Sequence, residues 1–237
     1  MIKEILQLKQ LHRANTLKEL AYNLDLSYHK VKNVSCGRTT VRALFSIRNG
    51  PHVVTPKKTS ALAELIGVVL GDGNIYKFDR CQRLVISCNS IKRQYIKHIA
   101  GLVEKVLRKQ PVLKKRKQAQ CIDVCLYMQA VDEALGLPAG NKIKNNVTIP
   151  RWIYKNKKFL TKCLKGLFET DGDYAFNKRF NVQFVEFCNE CEALRQSVYE
   201  ALLLLGYSPQ LGKRYVRLAK KTEVSKFLKE LQHLNRN

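Results

Sequence analysis

Two aspartates, Asp72 and Asp171, occupy the same place in two similar segments, ninety-nine residues apart. Each ends an apolar run with two small residues four positions apart, and each is followed by glycine. The segments are LIGVVLGDG at 65–73 and LKGLFETDG at 164–172. Carboxylate oxygens are ligands that Mg²⁺ prefers, and a divalent cation activates water and neutralises charge on a phosphate. A fold that brings the two aspartates together would therefore supply the acidic groups for metal-assisted hydrolysis.

A pair of packed helices would bring these aspartates together. Residues four apart lie on one face of a helix, so Gly67 and Gly71 form a stripe of small residues. Gly166 and Thr170 do the same in the second segment. Two such stripes allow helices to approach more closely than bulky side chains permit. The glycine after each aspartate favours the left-handed residue that ends a helix, which predicts an aspartate at each helix C-terminus, where the helix dipole attracts a cation.

The chain is basic along its whole length. Lysine and arginine number 43 against 19 acidic residues, which gives a net charge of +24. The excess is present in residues 1–60 (11 against 3), 61–137 (13 against 7) and 138–237 (19 against 9), so it is not a basic tail. A positive field over the whole molecule predicts nucleic acid or an anionic membrane as the partner.

Membrane insertion and secretion are not expected. No apolar run reaches the roughly 18 residues of a spanning helix, and no signal peptide opens the chain. We therefore expect an intracellular protein whose partner is nucleic acid. Its eight cysteines are expected to be free thiols. The Cys188-x-x-Cys191 pair has no second pair to complete a zinc site.

Residues 1–50 are expected to form a small all-α domain. Thr16 can cap a helix together with Glu19, and the apolar spacing through residue 34 predicts a helix-turn-helix over 16–34. Asp25 stands where the turn usually has glycine, but Asp also tolerates a left-handed conformation. The alternative is a packing module without DNA contact. In the DNA-binding interpretation, the second helix presents four residues to the major groove: Tyr28, His29, Lys32 and Asn33.

The rest of the chain contains two copies of one unit. After each Asp-Gly segment the pattern predicts a hairpin, a helix, a second hairpin and a closing helix, which is an α+β fold. The long helices are expected from Ser90 to about Arg108 and from about Glu190 to Leu205. The predicted divisions are a domain over 1–50, a first half over 51–137, and a linker with the second half over 138–237. The linker is expected over 138–159. Asn89 and Asn189 are expected at equivalent strand ends.

Both Asp-Gly segments resemble the LAGLIDADG motif of homing endonucleases, and the αββαββα order of each half is similar to that family's fold over roughly residues 57–234. The resemblance implies a pseudo-twofold single-chain arrangement with the motif helices at its centre and two sheets over the DNA major groove. It also implies cleavage of both DNA strands with Mg²⁺ (or Mn²⁺). Asp72 and Asp171 would be the metal-binding acids, and the carbonyls of Gly71 and Thr170 would be further ligands.

Basic residues are expected both near the cleavage site and on the DNA face. The family often carries a lysine near the cleft of each half, and the candidates here are Lys142, Lys178 and Lys77. Asn89 and Asn189 are candidates for holding solvent, whereas Glu169 is expected to be a polar edge residue without a catalytic role. A solvated surface position is the alternative for each single lysine. Hairpin strands can contact base edges while their tips hold phosphates. The DNA-face candidates are Lys77, Arg80, Arg83, Lys114, Lys115, Arg116, Lys117, Lys178, Arg179, Lys213, Arg214 and Arg217.

The sequence thus predicts a site-specific, metal-dependent DNA endonuclease of the homing type that acts as a monomer on double-stranded DNA. One alternative is a DNA-binding transcriptional regulator on the same fold that no longer cuts. Retention of both Asp72 and Asp171 argues against it. A second alternative is an RNA-splicing maturase, whose partner would be intron RNA. No splicing segments flank residues 1 or 237, so we do not expect an intein-borne enzyme.

Overall fold

The computed structural model describes residues 2–11, 13–24, 28–36, 55–117, 119–177 and 182–231. The chain divides into two compact units, Met1–His52 and Val53–Asn237.

The described residues of the first unit form three helices: α1 (Ile2–Leu11), α2 (Leu17–Asn23) and α3 (Tyr28–Ser35). Helix α2 begins with the predicted capping box. The Glu19 backbone N–H donates to Thr16 Oγ1 at 3.0 Å, and the Thr16 N–H donates to the Glu19 carboxylate at 3.3 Å. The turn at 25–27 lies outside the described residues, so the helix-turn-helix stays a prediction. Among the residues of this unit whose placement is described, five buried side chains pack into a small core: Ala14, Leu20, Ala21, Val31 and Val34.

The second unit repeats one arrangement of helices and strands. Its first half comprises α4 (Ser60–Gly71), β1 (Gly73–Lys77), β2 (Gln82–Asn89), α5 (Arg93–Leu107), β3 (Val112–Lys115), β4 (Cys121–Met128) and α6 (Val131–Leu135). A short helix α7 (Arg151–Tyr154) lies in the linker. The second half comprises α8 (Lys157–Thr170), β5 (Gly172–Asn177), β6 (Val182–Cys188), α9 (Glu192–Leu204), β7 (Gln210–Leu211), β8 (Tyr215–Leu218) and α10 (Lys221–Leu231). The predicted αββαββα order of both halves is therefore confirmed.

Each half builds one four-stranded antiparallel sheet. The strand orders are β1-β2-β4-β3 and β5-β6-β8-β7, so the two sheets have the same topology. Alternate residues of the central strands point inward, and Leu84, Ile86, Val185 and Phe187 are buried. One apolar core joins these inner faces to α4 and α8. The opposite face of each sheet is left for polar and aromatic side chains.

The motif helices α4 and α8 pack along the predicted stripes of small residues. A Cβ placed on Gly67 would overlap the Cys163 carbonyl oxygen of α8. A Cβ on Gly166 would lie 2.6 Å from the Val68 backbone nitrogen of α4, and one on Gly71 would overlap the Thr170 side chain. The backbones therefore approach so closely that only glycine fits.

The expected left-handed conformation after each aspartate is wrong. Gly73 and Gly172 begin strands β1 and β5, and neither is among the residues with positive φ. Glycine is required there for space, because a Cβ on Gly73 would lie 2.5 Å from the Val69 Cα. A Cβ on Gly172 would lie 2.7 Å from the Phe168 Cα.

Two expectations about the segment after β2 are also wrong. Helix α5 begins at Arg93, with Lys92 at its N-cap position, and not at Ser90. Asn89 and Asn189 are not equivalent. Gly73 pairs with Ile86, thirteen residues later, whereas Gly172 pairs with Phe187, fifteen residues later. The longer second hairpin shifts the register, so Asn189 corresponds to Cys88 rather than to Asn89.

The expected linker over 138–159 is shorter than predicted. Asn156 caps α8 by accepting the backbone N–H of Lys158 at 2.8 Å, so residues 157–159 belong to the first turn of α8.

Candidate functional site

Asp72 and Asp171 lie at the C-termini of α4 and α8. The backbone N–H of each bonds to the carbonyl four residues earlier, at 3.0 and 2.9 Å. The carbonyl of Asp72 accepts the Ser87 N–H of β2 at 3.4 Å, and the carbonyl of Asp171 accepts the Cys188 N–H of β6 at 3.1 Å. Each aspartate is thus held between its motif helix and the sheet of its own half.

The two carboxylates lie close enough to affect each other. Partial enclosure by protein, together with the charge of Asp171, raises the pKa of Asp72 to about 6, although Lys142 acts in the opposite direction. Burial also raises the pKa of Asp171, against the opposing effects of a hydrogen bond from Asn189 and the charge of Lys142. The pair therefore forms an electronegative position that favours a cation.

Lys142 supplies a positive charge at this position. Its ammonium donates to the Leu70 carbonyl at 2.8 Å and also to the Gly71 carbonyl at the end of α4. Burial lowers the pKa of Lys142, while the charges of Asp171 and Asp72 oppose that shift. Lys142, one of the predicted catalytic lysines, is thus close enough to both aspartates to interact with their charges. Its ammonium contacts the Gly71 carbonyl, which was predicted as a metal ligand.

Asn189 orients the second carboxylate. Its side-chain Nδ2 donates to Asp171 Oδ2 at 2.6 Å, whereas the exposed Asn89 uses its side-chain oxygen to accept the Ile91 N–H at 3.0 Å. Behind Asn189, the guanidinium of Arg195 donates to the Asn189 carbonyl at 2.6 Å, and Arg195 is only 7% exposed. Sequence reasoning missed Arg195, although its helical spacing from the apolar face of α9 was a usable signal.

A second ionic cluster links helices α4 and α8. Lys165 Nζ lies 2.7 Å from Glu64 Oε1 and 3.7 Å from Glu169 Oε1, and His98 Nε2 lies 2.8 Å from the same Glu64 oxygen. The Glu169 side chain is only 5% exposed, so the expected polar edge position is wrong: the ion pair with Lys165 allows it to be buried. Charged residues inside an apolar motif were the available signal for this cluster.

The Asp72–Asp171 position fits a divalent cation, because it combines two carboxylates and a helix-end carbonyl and already attracts an ammonium group. Glu64, His98 and Glu169 also have donor atoms within 4.8 Å of one another. In that second cluster Lys165 bridges the two carboxylates and provides the compensating positive charge, so we do not assign a metal to it.

The outer face of the first sheet carries basic and aromatic side chains together. Arg83 lies 4.7 Å from the Tyr76 ring centroid, and Lys114 donates to the Tyr127 hydroxyl at 3.0 Å. Arg116 donates to Asp123 at 2.8 Å through Nε and at 2.7 Å through Nη2. These contacts hold the basic side chains in fixed orientations on one surface.

The outer face of the second sheet repeats this chemistry around Arg217. Its guanidinium lies 4.5 Å from the Phe184 ring and 4.4 Å from the Tyr215 ring, and its Nε donates to Glu186 at 2.6 Å. Lys213 and Arg214 are exposed at the neighbouring β7–β8 turn, where Arg214 pairs with Glu190.

The other predicted DNA-face residues are not all on these surfaces. Lys115 follows Lys114 on β3, so it points to the opposite side of the sheet and is exposed at the edge. Lys77, Arg80 and Lys117 are exposed at strand ends and turns. Lys178 and Arg179 lie outside the described residues. In the first unit, Tyr28, His29 and Lys32 are exposed and Asn33 is half-buried.

No protein-family model matches the chain. The replication factor C small subunit of Methanocaldococcus jannaschii is 23% identical over 207 residues, which cover 78% of this chain but only 11% of that protein. Among the described helices, none is long and apolar enough to cross a bilayer.

Solved structures of homing endonucleases match the fold. The complex of I-DmoI with DNA and Mn has a TM-score of 0.53 and 20% identity, over 74% of this chain and 98% of that chain. A structure from work on mesophilic variants of I-DmoI has a TM-score of 0.52 and 21% identity, over 74% of this chain and 98% of that chain. Together with the repeated αββαββα halves, these matches show that the chain has the LAGLIDADG homing-endonuclease fold.

Proposed function

We propose that this chain is a site-specific, divalent-metal-dependent endonuclease that cuts both strands of DNA. The observation that carries this proposal is the pair of aspartates at the ends of the packed helices α4 and α8, with the pKa of Asp72 raised to about 6 and Lys142 beside both acids. Perturbed carboxylates beside a lysine are typical of active sites. A structural ion pair would not explain why the same acid is repeated in two halves that each carry a sheet.

In the proposed reaction, Asp72 and Asp171 would hold Mg²⁺ or Mn²⁺, with the Gly71 and Thr170 carbonyls as further candidate ligands. When bound, such a cation would neutralise charge at the scissile phosphate and lower the pKa of a water molecule. Asn189 fixes the orientation of the Asp171 carboxylate through its 2.6 Å hydrogen bond. Lys142 carries a positive charge that can neutralise the leaving oxygen, and Lys178 stays a sequence-based candidate for the same role.

The two sheet faces are the proposed DNA-binding surface. Arginine pairs bidentately with guanine edges, and an arginine already oriented by a carboxylate and two aromatic rings loses little side-chain entropy on binding. Arg217 has this environment, and Arg116 is similarly held by Asp123. Exposed basic residues at turns, such as Lys213, would contact phosphates. Because one chain provides both halves, it would act as a monomer, and the first unit would add a helix-turn-helix contact.

A DNA-binding regulator without cleavage is the second candidate. The contact that favours it is Lys142, whose ammonium offsets part of the negative charge of Asp72 and Asp171. The folded state therefore does not require a bound metal. The same fold would then bind DNA through its two sheets and leave the phosphodiester bonds intact.

Cleavage of a plasmid library that carries randomised sites distinguishes these candidates. With Mg²⁺, we expect the wild-type chain to linearise a specific subset of plasmids, and we expect Asp72→Asn and Asp171→Asn to retain binding without linearisation. Selective binding by the wild-type chain without any cutting would instead support the regulator. Cleavage that persists in both variants would reject the proposed roles of the aspartates.

A further inference from the structure

The ammonium of Lys142 occupies the C-terminal end of α4. It donates to the Leu70 carbonyl at 2.8 Å and to the Gly71 carbonyl, and it lies 3.5 Å from the Val69 carbonyl. Several helix-end carbonyls converge on one cationic group, with Asp72 and Asp171 close enough to influence it. A lysine here therefore has the surroundings that a bound metal ion would have.

The backbone around Lys142 is held independently of this ammonium. Asn141 Oδ1 accepts the backbone N–H groups of Ile143 at 2.9 Å and Lys144 at 3.0 Å. The Val147 N–H donates to the Lys142 carbonyl at 3.2 Å. The Lys142 side chain can therefore leave the helix end by rotation alone, without loss of the bonds that shape the loop.

We propose that Lys142 is a built-in competitor for the divalent cation. Its ammonium and the metal ion compete for the Gly71 carbonyl, next to the Asp72 and Asp171 carboxylates, so metal enters only when the Lys142 side chain rotates away. This inference rests on the proposed function, because it concerns the same metal position. The competition weakens metal binding to the chain without DNA, and a DNA phosphate that attracts the released ammonium would favour the metal-bound arrangement.

The test measures Mn²⁺ binding to the full chain without DNA. Free Mn²⁺ has an electron paramagnetic resonance signal that falls on binding, and thermal unfolding with and without Mn²⁺ gives a second readout. The variants are Lys142→Met, its polar counterpart Lys142→Gln, and the matched control Lys144→Met. Lys144 is two residues away in the same loop and exposed, so its removal changes the net charge equally without opening the helix end.

We expect Lys142→Met to bind Mn²⁺ about tenfold more tightly, because the metal no longer has to displace an ammonium from the carbonyls at the end of α4. Lys144→Met should change the affinity by less than about threefold, since solvent screens an exposed charge. Without metal, Lys142→Met should unfold at a lower temperature than the wild type, and Mn²⁺ should narrow this difference. Lys142→Gln should behave in the same way.

Three outcomes separate this inference from the proposed function. If Lys142→Met and Lys142→Gln bind Mn²⁺ no more tightly than the wild type, the competition is refuted, and the same holds if no chain binds Mn²⁺ detectably. This result leaves the proposed endonuclease activity open to a separate cleavage assay. If the affinity rises equally in Lys144→Met, the effect is one of net charge and the competition is also refuted. If Asp72→Asn does not weaken binding to the Lys142→Met chain, the metal position itself is wrong, and the proposed function loses its basis.

Discussion

The close approach of α4 and α8 predicts a large stability loss when Gly67 receives a methyl group. In Gly67→Ala the new Cβ would overlap the Cys163 carbonyl oxygen and lie 3.1 Å from the Leu167 nitrogen. These are backbone atoms of a helix and cannot rotate away, so the two helices must move apart. Overpacking of this kind costs about 1–3 kcal/mol, and more when a shared core is also disturbed. We expect the free energy of unfolding of Gly67→Ala to be lower than that of the wild type by about 3 kcal/mol.

Gly101→Ala is the matched control for this substitution. Gly101 lies in α5, is exposed, and an added Cβ meets nothing within 4 Å. Replacing an exposed helical glycine by alanine stabilises a helix by roughly 0.5–1 kcal/mol. The same chemical change is therefore expected to have opposite signs at positions 67 and 101.

Urea unfolding followed by tryptophan fluorescence measures both effects. Trp152 is the one tryptophan of the chain, and its ring lies 5.5 Å from the Phe159 ring at the start of α8, so its signal reports on the second unit. Equal midpoints for Gly67→Ala and the wild type, or losses of the same size at both glycines, would refute the close packing of the motif helices.

Three further predictions concern charge. Because the pKa of Asp72 is raised to about 6, ionisation of this carboxyl destabilises the folded state. Above pH 6, Asp72→Asn should therefore be more stable than the wild type by about 1 kcal/mol, after allowance for solvent screening. Near pH 4 it should show no gain, and thermal unfolding measured across this pH range checks both expectations. Burial would raise the pKa of Glu64, but hydrogen bonds from His98 and Lys165 outweigh it and lower the pKa to about 2. The stabilisation from ionised Glu64 is present above pH 4.5 and lost as pH falls toward 2. In urea unfolding at pH 7, Glu64→Gln should lower the free energy of unfolding by about 3 kcal/mol. A loss below about 1 kcal/mol would contradict the contacts of Glu64 with His98 and Lys165. Lys213→Met should lower the slope of log affinity against log salt by about one in DNA-binding titrations, and an unchanged slope would exclude a phosphate contact.

The sequence was sufficient to predict the repeated architecture. Small residues four apart define the contact stripes of α4 and α8, and the Asp-Gly pairs mark where each helix gives way to a strand. Those features act over a few residues, so local pattern captures them. The helix-end position of Asp72 and its nearness to Asp171 follow from the same pattern.

The finer site geometry was not predictable from local pattern. Whether Asn89 or Asn189 reaches an aspartate depends on hairpin length, because two extra residues in the second hairpin shift its register. The Glu64–Lys165 ion pair joins residues 101 positions apart, and only the packed helices bring them together. Lys142 was a candidate on general grounds, but its contacts with the α4 carbonyls depend on the path of the linker.

Strand-resolved cleavage of one cognate duplex tests whether Asp72 and Asp171 are the residues required for cutting. With each DNA strand end-labelled, the wild-type chain in Mg²⁺ should cut both strands. Asp72→Asn and Asp171→Asn should bind the same duplex with unchanged affinity in Ca²⁺ and leave it uncut in Mg²⁺. A variant that binds normally and still cuts both strands would contradict the assignment of the paired aspartates as the chemical centre.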